Sequence, residues 1–427
     1  MGSSSHGPHA FDLGLAPFAL EEGPPLPRVS LAGWCWGPVS DRTALEARAR
    51  LVPVEATAPR SPAPLFPPDP SAPRLSSAVP TVLIIHALTG DAVVGGDGGW
   101  WAPLVGPGRP LDPSRARLLC FNNLGSCYGS FGPSAEDWPQ VSEDPATGRA
   151  MTLPAPVSTW DQARALLRAL DGLGLEHVEL AIGGSLGGML VLALGALAPE
   201  RFGHLVPIAA SAAGSPWVIG FNHVARQILL LDPDWPRARR GLELARQLAQ
   251  MTYRAEPGLE LRQGRLVRPP HRDDPRTFVP DWHPSRPYAQ ETYLEHHGRK
   301  LVERYDARSY LVQLAAMCHH DVSRRPPEPS AQDSYTLGEG PWTGLARYSG
   351  PIDAVGIDTD QLYPPHHMRD VAETAARGSY HELSSVHGHD GFLIEWDQMK
   401  AILRATGSPV LSETQPADRA RTAPKPR

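Results

Sequence analysis

The stretch ELAIGGSLGGML, residues 179–190, sets one serine among four glycines. Apolar residues suited to a buried strand lead up to it. A helix-like run, LGGMLVLALGALAPERF (186–202), leads away from it. Glycine is unfavourable in the interior of either element, so its density around Ser185 points to a backbone crowded too closely for a Cβ. Gly183-Gly184-Ser185-Leu186-Gly187 reads G-x-S-x-G at a strand-to-helix turn. In such a turn the serine sits in a strained conformation with its hydroxyl standing out over the strand end. Residues two before and two after it come together, and glycine at 183 and 187 relieves that crowding. The helix that follows turns its first N–H groups toward the site and favours a developing negative charge. The competing reading is a tight turn with a surface serine; the flanking strand and helix favour a nucleophile.

Outward from this turn, strand-like and helix-like runs alternate. TVLIIHA (81–87), ARLLCFNN (116–123), HVELAIGG (177–184) and HLVPIAA (204–210) are short apolar runs of the kind buried on both faces of a parallel sheet. WDQARALLRALDGLG (160–174) has helical spacing and stops at glycine. Strand-helix-strand repetition implies right-handed crossovers and a mostly parallel sheet flanked by helices. From about 215 to 340 the pattern is helical and polar, as in RRGLELARQLAQMTYR. The alternation then resumes with IDAVGID, VAETAARG, YHELSS and FLIEWDQMKAILRATG. The reading is one α/β core at 11–214 and 341–406, interrupted by a helical lid at 215–340. Nine prolines within 53–80 mark an exposed insertion. Residues 1–10 and 407–427 read as disordered.

A net charge of −6 argues against a nucleic-acid partner. No apolar run is long enough to span a membrane, and the N-terminus has no secretory pattern, so a cytoplasmic protein is expected. The four cysteines, Cys35, Cys120, Cys127 and Cys318, form no CxxC pair and read as reduced thiols. Cys318-His319-His320-Asp321 spreads around a helix rather than along one face, so no metal site is expected.

A nucleophilic serine needs a base, and the base needs an orienting acid. The α/β-hydrolase chain order is serine, acid, histidine. The loop after IDAVGID offers Asp360, with Asp358 as a rival; the loop after YHELSS offers His387 and His389. An oxyanion hole needs two N–H donors. One falls to Leu186, and IIHALTGD (84–91) offers Leu88 as the other.

Several separated blocks carry a resemblance: HALTGDA (86–92), GGWWAPLVGPGRPLD (98–112), NNLGSCYGSFGPS (122–134), GGSLGGM (183–189), FNHVARQILLLDPDW (221–235), QMTYR (250–254), RYDARSYL (304–311), DTDQLYPP (358–365) and HGHDGFLIE (387–395). In this order they are similar to the homoserine O-acetyltransferase family of the α/β-hydrolase fold. The resemblance implies Asp360 as the acid and His389 as the base, with His387 a bystander. It implies that Arg226 holds the carboxylate of an amino-acid acceptor and that Asp390 meets its amino group. It further implies acetyl-CoA as co-substrate with no bound cofactor, ping-pong acyl transfer to homoserine in methionine biosynthesis, and a homodimer. Serine as acceptor or succinyl-CoA as donor are alternatives within that chemistry; an esterase is the alternative outside it. The sequence departs from the family at Leu186, where methionine is usual, and at GWCWGP (33–38), where a different strand is expected.

Overall fold

The computed structural model describes residues 8–37, 39–52, 74–143, 150–265 and 288–411. The chain begins with β1 (Pro8–Leu15), β2 (Val29–Trp36), α1 (Val39–Arg48) and β3 (Arg50–Val52). It continues through β4 (Thr81–Ile85), β5 (Arg117–Phe121), β6 (Gln140–Glu143), β7 (Ala150–Pro154), α2 (Thr159–Leu173), β8 (Leu180–Gly184), α3 (Leu186–Leu197) and β9 (Leu205–Ile208). Among the described residues five α-helices follow: α4 (Pro216–Leu230), α5 (Arg239–Tyr253), α6 (Glu256–Arg262), α7 (Ala289–Val302) and α8 (Ala307–His319). The last elements are β10 (Ile352–Ile357), α9 (His366–Thr374), β11 (Gly378–Leu383) and α10 (Trp396–Ala405).

Among the described residues, nine strands make one sheet in the order β11-β10-β9-β8-β4-β5-β2-β1-β3. The run from β11 to β5 is parallel, and β2, β1 and β3 extend it antiparallel. The central strands are buried throughout, as their unbroken apolar runs require. α3 is buried at every position, matching its all-round apolar sequence. α2 starts on a capping box between Ser158 and Asp161 and stops at Gly174, whose φ of 74° is left-handed.

β4 is the strand at which the winding reverses. The chain moves from β4 to β5 on one side, then crosses to β8 on the other. A crevice opens beyond the C-terminal ends of strands at such a point, and it is there that the loop after β4 and Ser185 after β8 meet.

Three expectations change. Residues 8–10 are not disordered but open β1, whose Phe11, Leu13 and Leu15 alternate into the core against β2. Residues 407–411 are likewise placed, with Val410 and Leu411 buried; residues 412–427 lie outside the described residues. Of the proline-rich stretch 53–80, residues 53–73 also lie outside them, while Leu75 within it is buried rather than exposed. β6 and β7 pair antiparallel as a separate two-stranded sheet, for which the sequence carries no strand expectation. No helix among the described residues is long and apolar enough to cross a membrane.

Candidate active site

β8 ends at Gly184 and α3 starts at Leu186, so Ser185 alone makes the turn. Its φ is 57° and ψ is −123°, a region that L-residues avoid at a cost of about 1–3 kcal/mol. Its N–H donates to the Ile208 carbonyl at 2.9 Å, so β9 braces the turn. A Cβ at Gly183 would stand 2.7 Å from the Gly187 carbonyl group, and one at Gly187 only 2.1 Å from the Ile85 oxygen. The approach expected between 183 and 187 is therefore real, and β4 joins it. At Gly184 a Cβ would meet the Phe392 ring at 2.5 Å.

β10 and β11 end side by side, and the loops beyond them are stitched together. The Asp358 carboxylate accepts from Ser384 Oγ at 2.8 Å and Ser385 N at 2.9 Å, a strand-to-strand brace. Asp360 turns inward. Its Oδ1 accepts from the N–H groups of Leu362 (2.8 Å) and Tyr363 (2.9 Å), and its Oδ2 accepts from His389 Nδ1 at 2.6 Å. Asp360 and His389 are each 3% exposed. Burial disfavours charge on His389, but Asp360, and after it Asp390, outweigh burial and raise its pKa. His387 faces Gly258 instead, and its Nδ1 is buried without a partner among the described residues. The structure thus pairs Asp360 with His389 and leaves Asp358 and His387 out of that pair.

Ser185 is 4% exposed, and among the described residues no hydrogen bond joins its hydroxyl to His389. Phe392 links the two elements: its ring covers Gly184 and lies edge-on to His389 at 5.8 Å. Catalytic hydrogen bonds commonly tighten only once substrate is bound.

The loop after β4 is held from both sides. His86 Nδ1 lies 2.7 Å from the Ala87 carbonyl oxygen, and Gly90 N–H donates to the same oxygen at 3.0 Å. Tyr305 Oη donates to Leu88 O at 2.9 Å, and Arg304 Nη1 donates to Thr89 O at 2.6 Å. The N–H groups of Leu88 and Leu186 have no acceptor among the described residues. A buried serine in a strained elbow, a carboxylate-held imidazole and two unoccupied donors make a constellation suited to acyl transfer.

The sequence profile of the alpha/beta hydrolase fold matches residues 80–395. The homoserine O-acetyltransferase of Moorella thermoacetica is 38% identical over 358 residues, covering 78% of this chain and 87% of that protein. A homoserine O-acetyltransferase of Thermus thermophilus is 40% identical over 349 residues, covering 76% and 80%. The chain belongs to the homoserine O-acetyltransferase family. These are acyltransferases on an α/β-hydrolase fold. The crystal structure of homoserine O-acetyltransferase from Staphylococcus aureus has the same fold, with a TM-score of 0.65 at 22% identity, covering 96% of this chain and 99% of that one.

In this homoserine O-acetyltransferase relative, Asp390 is ion-paired with Arg254 at the end of α5, Nη2 to Oδ2 at 3.1 Å. Arg226, on α4, is half-buried and lines a cavity of about 330 Å³ with His223, Leu311, Val312 and His319. Neither Asp390 nor any of Ser185, Asp360 and His389 lines that cavity, so the two acceptor residues implied by resemblance do not share its wall. His320 is structural: Nδ1 meets Thr159 Oγ1 at 2.9 Å and Nε2 meets the Ser211 carbonyl at 3.1 Å.

Sequence reasoning assigned no role to the residues around the imidazole. Tyr253, Tyr363 and Phe392 pack on His389 with ring centroids 5.4–5.8 Å away. Tyr253 closes α5, and Arg304 and Tyr305 immediately precede α8. Their blocks, QMTYR and RYDARSYL, were visible, but no local spacing says that they fold back over a strand end.

Proposed function

We propose that the protein transfers an acetyl group from acetyl-CoA to the hydroxyl of homoserine through an acyl-Ser185 intermediate. The observation that carries the mechanism is the 2.6 Å contact between Asp360 and the buried His389, at the sheet edge that presents Ser185. Asp360 keeps the proton on Nδ1, so Nε2 is free to act as base. His389 takes the Ser185 proton as Oγ attacks the thioester carbonyl. The oxyanion is held by the N–H groups of Leu88 and Leu186. The carbon–sulfur bond breaks, His389 returns the proton to sulfur, and the CoA thiol leaves. In the second half, homoserine gives its hydroxyl proton to His389 and attacks the acyl-serine. The bond to Ser185 breaks, its oxygen regains the proton, and O-acetylhomoserine leaves for methionine biosynthesis.

Arg226 is the proposed contact for the acceptor's carboxylate and Asp390 for its amino group, by likeness of their sequence blocks to the family. A guanidinium fork suits a carboxylate. Helices α4 to α8 act as the cover that excludes water from the acyl-serine; Tyr253 over His389 and Tyr305 on Leu88 support that role. Its outer face supports a homodimer. Trp217, Val224 and Leu231 on and just beyond α4, and Leu244 and Met251 on α5, are exposed at seven-residue spacing. Light scattering should give a dimer, and Trp217→Glu with Val224→Glu a monomer. Acetyl-CoA as co-substrate and four free cysteines fit a cytoplasmic enzyme.

The test is thiol release from acetyl-CoA with and without homoserine. Homoserine-dependent turnover, with the Ser185 peptide acetylated when acceptor is withheld, is the expected result. Sustained thiol release that ignores every amino acid would mean an esterase. Serine as acceptor and succinyl-CoA as donor, run in parallel, settle the substrate pair.

A further inference from the structure

The geometry points to His86 as the positioning residue that aims the Leu88 N–H at the oxyanion. This rests on the acyl-transfer reading and adds a residue to it. His86 directly follows β4 and is fully buried. Its Nε2 lies 3.1 Å from the backbone nitrogen of Asn123. That N–H can only donate, so Nε2 must accept, and the ring proton resides on Nδ1. Nδ1–H therefore donates to the Ala87 carbonyl at 2.7 Å. Burial, only partly opposed by that carbonyl, pushes the pKa of His86 down to about 4. The ring is a neutral, single tautomer throughout the range in which His389 works as a base.

The consequence follows from the peptide unit. In a trans peptide, the carbonyl and the N–H of the same plane point in opposite directions. The Ala87 carbonyl and the Leu88 N–H share one plane. His86 and Gly90 both hold the carbonyl, so the Leu88 N–H is pinned on the far side, where no described residue accepts it. The first turn of α3 lies against the same backbone: a Cβ at Gly187 would stand 2.1 Å from Ile85 O and 3.1 Å from His86 O. Leu186, the other donor, starts that turn. The imidazole thus fixes an electrostatic donor without touching substrate, and such a donor is useful only if it needs no reorientation during reaction.

Two substitutions separate aiming from mere filling of the core. Asn at 86 sets its amide nitrogen about where Nδ1 stands and keeps the donor to Ala87; Gln reaches toward Nε2, where its oxygen can accept from the Asn123 N–H, and forfeits the donor to Ala87. The rate of acyl-Ser185 formation from acetyl-CoA, by rapid quench and peptide mass, is the readout. Losing an oxyanion donor outright costs about 10²–10³-fold, so His86→Gln should acylate roughly 10- to 100-fold slower, with acetyl-CoA affinity unchanged. His86→Asn should stay within about fivefold of wild type. Equal rates in the two variants, or a loss confined to acetyl-CoA affinity, would overturn the inference. Should neither variant fold, nitrogen NMR of the wild type decides: a ring protonated at Nδ1 alone from about pH 5 to 9 supports it, and a titrating ring or a proton on Nε2 refutes it. Wild type that forms no acyl-Ser185 sinks the acyl-transfer reading as well, whereas active wild type with indistinguishable variants sinks this inference alone.

Discussion

Asp360→Asn replaces one oxygen by an NH2 and leaves the shape unchanged, so its effect follows from hydrogen bonds alone. Oδ1 receives two backbone donors, Leu362 and Tyr363, and Oδ2 receives His389 Nδ1. The amide can stand in two ways. With its oxygen toward the backbone it keeps both of those bonds and offers NH2 to His389. Turned over, it sets NH2 against two buried N–H groups, and each unmet donor costs about 1–3 kcal/mol. The first orientation therefore wins by roughly 2–6 kcal/mol. His389 Nδ1 must then accept, and the ring proton moves to Nε2, the nitrogen that should receive the Ser185 proton. Loss of a triad imidazole's tautomer costs about 10⁴ in kcat, near 5 kcal/mol of transition-state stabilisation. Folding should hardly change, because two bonds survive and the third reverses direction. Acylation by acetyl-CoA measures the rate, and thermal melting measures the fold. A variant that keeps a tenth of wild-type acylation, or whose loss is matched by unfolding, would refute this account of Asp360.

Other outcomes can be stated briefly. Burial opposes the charge on His389, yet Asp360 and Asp390 raise its pKa, so acylation should rise with pH through a value above the ordinary 6.5. Asp390→Asn removes one raising charge and should move that limb of the pH–rate profile downward; an unmoved or upward limb would contradict it. Gly187→Ala drives a Cβ to 2.1 Å from the Ile85 carbonyl, so it should destabilise by about 1–3 kcal/mol and lower acylation together, checked by denaturant titration and rapid quench. Tyr305→Phe leaves the buried Leu88 carbonyl without its 2.9 Å donor; stability should fall by about 1–3 kcal/mol, with acylation slowed more than acetyl-CoA affinity.

The core of the fold was legible because its signals are local. Four glycines around one serine, unbroken apolar strands and a glycine-stopped α2 each state their own conformation. The same holds for the order of serine, acid and histidine, since each stands just past a strand that can be read by itself. Asp358 and Asp360 could not be separated that way: both leave β10, and only the register of β11 decides that Asp358 braces Ser384 and Ser385 while Asp360 meets His389. β1 had a readable signal, Phe11-x-Leu13-x-Leu15, hidden by its nearness to a polar terminus. Tyr253 and Tyr305 had no such signal. Tyr253 reaches it across 136 positions of chain and Tyr305 reaches Leu88 across 217, and such meetings are products of packing.

The grip of Arg304 and Tyr305 on Leu88 and Thr89 has a bearing on traffic. A segment that swung clear of the sheet to admit each substrate would tear these bonds from buried carbonyls and release the loop that carries the proposed Leu88 donor. Every opening would disarm the enzyme, and every closing would have to rebuild it. A wall fastened at the reacting centre is better suited to standing still through the reaction than to swinging away at each turnover.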